Sequence, residues 1–168
     1  MTEQPAPTWQ PPTRPPGPAP GLEFGEFGPR LVAYIIDGLI VGAVVVAALL
    51  VWTLFALFSG GLRANGLDLG AGLGLGLMMI LILVLTLGYF PWFWARTGAT
   101  PGMRAMGLKV VRDADGGPIS SGQAILRLVG YWISGAVFYL GYIWILVDKR
   151  RRGWHDLIAG TVVIKAST

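Results

Sequence analysis

Residues 31–58 read LVAYIIDGLIVGAVVVAALLVWTLFALF, and their only ionisable side chains are Tyr34 and Asp37. At about 1.5 Å per residue, a helix of this length reaches roughly 42 Å, beyond the roughly 30 Å hydrocarbon core of a bilayer. The stretch predicts a membrane-spanning helix that is tilted or projects past the headgroups. Residues 59–70 form a short polar, glycine-containing turn, and residues 71–95 form a second uncharged run. That run closes on Tyr89, Phe90, Trp92, Phe93 and Trp94. Such aromatic clusters lie at headgroup level, so this one marks an exit interface, and Pro91 is expected to end or kink the helix.

A third apolar stretch, residues 125–147, carries Arg127, Gly130, Gly135 and Gly141. A full crossing would divide the flanking cations evenly. Arg14, Arg30, Arg96, Arg104, Lys109 and Arg112 would lie on one face, with Arg63, Lys149, Arg150, Arg151, Arg152 and Lys165 on the other. If the stretch instead enters and returns on one side, only Arg63 lies opposite the rest. The positive-inside rule favours this second arrangement. The expectation is therefore two spans plus a helical hairpin bent near Ser134-Gly135, with a third span as the alternative. Backbone that leaves the helix at that depth must be covered, so the hairpin should pack on the first two helices. Residues 107–112 alternate and precede a turn at 113–117, and residues 160–165 have the same character, so the two can pair as a small cytoplasmic sheet. The fold class is an all-α membrane protein with a small β element.

Composition agrees. The chain is 54% hydrophobic and 13% charged, against about 45–50% apolar and about 25% charged in soluble domains, so the composition speaks against an ordinary water-soluble globule. There is no cysteine and only one histidine, His155. Disulfides, thiolate catalysis, cysteine-ligated metals and histidine-rich metal sites are excluded with them, and no cofactor is expected. Residues 1–28 are proline-rich and read as a disordered tail, not a signal peptide. Pro11-Pro12 and Pro15-Pro16 allow a polyproline ligand as an alternative to a plain solvated segment. The membrane domain is expected over 29–165. Its expected setting is multi-pass in a prokaryotic cell membrane, with the N-terminus in the cytoplasm.

Asp37 is the most informative residue. A carboxylate inside a membrane helix is costly unless paired, protonated or facing water. It reads either as a proton or cation site or as half of a structural ion pair with Arg30 or Arg127. Arg127 either snorkels to the headgroups or supplies that counter-charge. Gly38 and Gly42, and Gly72 and Gly76, have the small-xxx-small spacing that lets membrane helices pack closely. The alternating glycines of 72–76 lack the spacing and the preceding strand of a nucleotide loop. The basic run Lys149, Arg150, Arg151, Arg152 with Trp154, together with Arg104, reads as a topology anchor or a contact for anionic headgroups. His155-Asp156 and Ser120-Ser121 have no nucleophile elbow around them, so the protein is not expected to be an enzyme.

These residues resemble those of a family. PRLVAYIIDG at 29–38, TGATPGMRAMGLKVV at 97–111 and RRGWHDLIAGTVVIK at 151–165 are similar, in order, to motifs of the RDD family of prokaryotic membrane proteins, over about residues 27–165. The family's arginine and two aspartates correspond to Arg30, Asp37 and Asp156, with Asp148 a second candidate for the last. Where the family usually reads T-x-G-K, Met103 follows Gly102 here, and Arg104 is the nearest cation. The resemblance implies transport of an ion, proton or small solute, cation/proton exchange being attributed to some members. The proline-rich N-terminus is similar to those of related actinobacterial membrane antigens. The alternative is a non-transporting accessory or interaction subunit. Expected partners are the bilayer, anionic headgroups and further copies or a larger membrane complex, with no nucleic acid.

Overall fold

A computed structural model describes residues 17–63 and 66–166 of the chain. The prolines before residue 17, including the two Pro-Pro pairs, lie outside the described residues.

Helix α1 spans Phe27–Phe58 and α2 spans Leu69–Thr97. Both are long and apolar enough to cross a membrane. Their large side chains point mostly outward, as they do where the solvent is lipid and nothing drives them inward. Asp68 starts α2 by accepting the Ala71 N–H at 2.7 Å, which satisfies one of the donors a helix start leaves open. Gly98, at φ 73°, ends it by returning its N–H to the Trp94 carbonyl. Pro91 does not end the helix: α2 runs six residues past it. Edge-to-face packing of Tyr89 with Phe90 and Phe93 surrounds that turn. Between the helices, β1 (Leu62–Arg63) and β2 (Gly66–Leu67) form a short antiparallel ladder.

After α3 (Pro101–Ala105) comes β3 (Leu108–Arg112) and then α4 (Ser121–Ala136). A reciprocal Ser120–Gln123 capping box opens α4. The chain turns at Phe138 and Tyr139, both at positive φ, and α5 (Leu140–Ile143) with the single turn 144–146 leaves at 112° to α4. The third apolar stretch is thus sharply bent, a few residues beyond the expected Ser134-Gly135. Ser134 stays helical, donating its hydroxyl to the Gly130 carbonyl at 2.7 Å. Gly141 then folds back so closely that a Cβ there would overlap the Ser134 side chain.

Helix α6 (Trp154–Ala159) packs mainly on α4, and α3 on α1. Strand β4 (Thr161–Lys165) pairs antiparallel with β3, Val110 opposite Val163. The expected pairing is present, but β4 is buried along most of its length because both faces of the ladder are covered. Leu108, Val110 and Val163 join Ala33, Trp94 and Met103 on one side. Val111, Val162 and Ile164 pack with Phe24 on the other. Residues 22–26 therefore do not belong to a disordered tail. Phe24 bridges to Ile164, the Gly25 N–H donates to the Val163 carbonyl at 2.9 Å, and Lys165 N–H donates to the Glu23 carbonyl at 2.9 Å. Burial of Phe24 draws this segment onto the free edge of β4.

Within one copy of the chain, the expected glycine contacts are not made. A Cβ at Gly38, Gly42, Gly72 or Gly76 would meet nothing within 4 Å. Helices α1 and α2 stand apart along much of their length, leaving an apolar groove of about 560 Å³. Close backbone approach occurs instead at Gly102, Gly130 and Gly141.

Candidate functional site

Two polar clusters lie beside α1. In the first, Asp37 is 2% exposed. Its Oδ1 accepts from the Gly102 N–H at 2.8 Å and the Tyr89 hydroxyl at 3.0 Å, and its Oδ2 accepts from the Thr100 hydroxyl at 2.5 Å. The segment Thr100-Pro101-Gly102 makes this possible. Thr100 caps α3 by accepting from Met103 N–H at 3.2 Å, and Pro101 occupies the first helical position, where its missing N–H costs nothing. Gly102 has to be glycine, because a Cβ would strike the Ala33 carbonyl and the Asp37 carboxylate. Met103, at the position of the family lysine, is buried in the core, while Arg104 is exposed.

The second cluster centres on Asp156, at the start of α6. Arg127, 1% exposed, donates Nη1–H to Asp156 Oδ1 and to Thr161 Oγ1. Arg30 donates Nη1–H to Asp156 Oδ2 at 2.9 Å, and its other arm reaches the Gly25 and Val163 carbonyls. The Gly153 N–H adds a further bond to Oδ2 at 3.0 Å. Burial pushes the Asp156 carboxyl up, but Arg127, Arg30 and the Gly153 N–H together hold it well below the usual carboxylate range. His155 lies against Tyr131, ring centroids 4.0 Å apart, and burial pushes its imidazole down to about 3. It is neutral at neutral pH and cannot serve as a cation for Asp156.

The ion pair expected at Asp37 is therefore elsewhere. Arg30 and Arg127 both bind Asp156, which lies 126 and 29 residues away in sequence. Neither reaches Asp37, whose partners are two hydroxyls and a backbone N–H. Arg127 also does not snorkel; it is buried, with its guanidinium 5.0 Å from the Trp94 ring. Asp37, Arg30 and Arg127 do line one cavity of about 30 Å³, with Tyr34, Trp94 and Tyr131. Tyr89 connects this polar region to the apolar groove, which it also lines.

In the basic run, Arg150 and Arg152 are engaged within the protein. Arg150 pairs with Asp113 at 2.8 Å, and Arg152 pairs with Asp113 at 3.0 Å and Asp148 at 3.1 Å. Asp148 belongs to that surface network and not to the buried one. Arg104, Lys149 and Arg151 are exposed, and Trp154 is half-buried 6.5 Å from Trp144.

The profile of the RDD family matches residues 24–160, most of the chain and every charged residue of both polar clusters. The chain belongs to the RDD family. It is 42% identical over 65 residues to the uncharacterized protein YxaI of Bacillus subtilis (strain 168), covering 39% of this chain and 42% of that protein. It is 29% identical over 68 residues to the proline-rich antigen of Mycobacterium leprae (strain TN), covering 40% of this chain and 27% of that protein. The chain thus spans less than half the length of either relative. No solved structure matches it. In this RDD-family membrane protein, Arg30 and Asp156 are joined by a salt bridge. Asp37 is held separately by the Thr100-Pro101-Gly102 turn.

Reasoning from sequence did not find Tyr89, Thr100, Gly102 or Thr161. Thr-Pro-Gly is a legible helix-start signal, and that much was available. Which carboxylate it caps is set by how α3 lies on α1.

Proposed function

We propose that this protein is a non-enzymatic transporter that moves a proton or small cation across the cell membrane, with Asp37 as the group that binds or titrates. The supporting observation is the placement of Asp37. It is a buried carboxylate on a membrane-length helix, and Tyr89 links it to the apolar groove between α1 and α2 while it lines a small cavity beside the arginines. Intramembrane carboxylates mark ion and proton routes by default. Two long helices and a bent hairpin enclose little volume, so the working unit in this reading is an oligomer. The unfilled faces at Gly38, Gly42, Gly72 and Gly76 suit close helix contact between copies. The basic distribution favours a cytoplasmic N-terminus and C-terminal segment, the 59–68 turn outside, and exposed Arg104, Lys149 and Arg151 toward anionic headgroups.

A second reading is an accessory membrane subunit without transport. It is favoured by the way Arg30, Arg127 and Asp156 satisfy one another inside the fold. Proteoliposome flux at two pH values separates the two. Transport requires that Asp37→Asn abolish flux and Tyr89→Phe reduce it, with both variants folded. A folded Asp37→Asn protein with wild-type flux, or a wild type with none, assigns the accessory role.

A further inference from the structure

The cavity beside the two clusters contains more hydrogen-bond donors than the protein can use. Arg30 Nε, Arg127 Nε and Trp94 Nε1 are buried and have no partner among the described residues. All three side chains line the same space of about 30 Å³. Trp94 is 3% exposed and Arg127 1%, so bulk water does not satisfy these N–H groups, and buried donors are rarely left unpaired. Guanidinium and indole N–H groups can only donate, so any occupant that satisfies them must accept.

Charge points the same way. Two guanidiniums share one carboxylate, Asp156, and the trio keeps a net positive charge. Asp37, the carboxylate that lines the cavity, already accepts three hydrogen bonds from Tyr89, Thr100 and Gly102. The volume holds an occupant of one or two atoms, which is too small for phosphate or a carboxylic acid. We infer that the cavity is a binding site for one small monovalent anion of halide size, held by Arg30, Arg127 and Trp94. Asp37 lines the same space, so its charge opposes the anion. The site therefore differs from a plain water site in a measurable way: removing that charge strengthens it. The inference does not depend on transport, because a saturable halide effect without any flux leaves it intact.

The test is thermal unfolding of the full chain in detergent, with gluconate replaced stepwise by chloride or bromide at constant ionic strength. Gluconate is too large to enter, and fixed ionic strength removes general screening. The expected result is a saturable rise in Tm with either halide. Trp94→Phe keeps the ring but removes the donor, and it weakens the midpoint about tenfold. Asp37→Asn shifts the midpoint to lower halide. If Asp37→Asn does not fold, Trp94→Phe decides alone. Equal Tm in gluconate and halide overturns the inference and leaves the cavity to water. A halide response identical in wild type and Trp94→Phe overturns it as well.

Discussion

His155 is a neutral imidazole packed against Tyr131 and Tyr142, with Asp156, Arg127 and Arg30 around it. Desolvation dominates, and the two arginines add to it against the opposing pull of Asp156, so its folded value falls from 6.5 to about 3. Between those values the unfolded chain binds the extra proton, so stability rises with pH there. The contribution is complete above about pH 6.5 and is lost progressively as pH falls toward 3. At pH 5 the loss amounts to about 2 kcal/mol. Tm measured at pH 7 and pH 5 should drop for wild type. His155→Gln should start lower at pH 7 but lose most of that slope. A flat wild-type profile would show that the imidazole is not buried neutral. Asp156 does not confuse the measurement, because its depressed carboxyl loses its contribution only as pH falls from the ordinary carboxylate value of 3.8 downward, below the two pH values compared. The network is also unforgiving: breaking a buried ion pair costs about 3–5 kcal/mol because the remaining charge has nowhere to go.

Among the elements, the segment before α1 departs furthest from what its composition suggests. Residues 1–28 read as tail, yet Leu22 and Phe24 lie against Val111, Val162 and Ile164. The Gly25 carbonyl also accepts from Arg30. The segment therefore buttresses the arginine that holds Asp156. Phe24→Ala should cost about 3 kcal/mol, read as a fall in Tm of the purified protein. An unchanged Tm would show that the segment only rests on the sheet. The hairpin of α4 and α5 was legible as an interruption because Arg127 and the glycines break the apolar run. The position of the bend was not. It depends on Gly141 packing on Ser134 and on the Tyr142 hydroxyl donating to the Tyr131 carbonyl at 2.9 Å, contacts between residues several positions apart. At the tip, Phe138 is 86% exposed, as suits a bend that presents its apolar side chains to lipid.

At the scale of the molecule, a membrane-length helix pair carries a compact polar unit made of α3, α4, α6 and the β3–β4 ladder. In the proposed topology that unit sits at the cytoplasmic surface. Of cysteines introduced at Ser59 and Lys149 in this cysteine-free chain, the first should then react with an impermeant thiol reagent in intact cells and the second only after permeabilisation. Labelling of both from outside would refute the topology. The long apolar helices, the interruption in the third stretch, the two strand segments and the presence of Arg30, Asp37, Arg127 and Asp156 in or beside apolar stretches were all determined by the sequence itself. Hydrophobic run length, β-character and the cost of a charge in lipid are local properties, and they can be read one segment at a time. The pairing of those charges was decided by the tertiary structure. On a helix, Arg30 and Asp37 are close enough to suggest each other. But α6 brings Asp156 between Arg30 and Arg127, and α3 covers Asp37 with donors of its own. Opposite charges pair with whichever partner the packing desolvates alongside them, and that partner can lie over a hundred residues away.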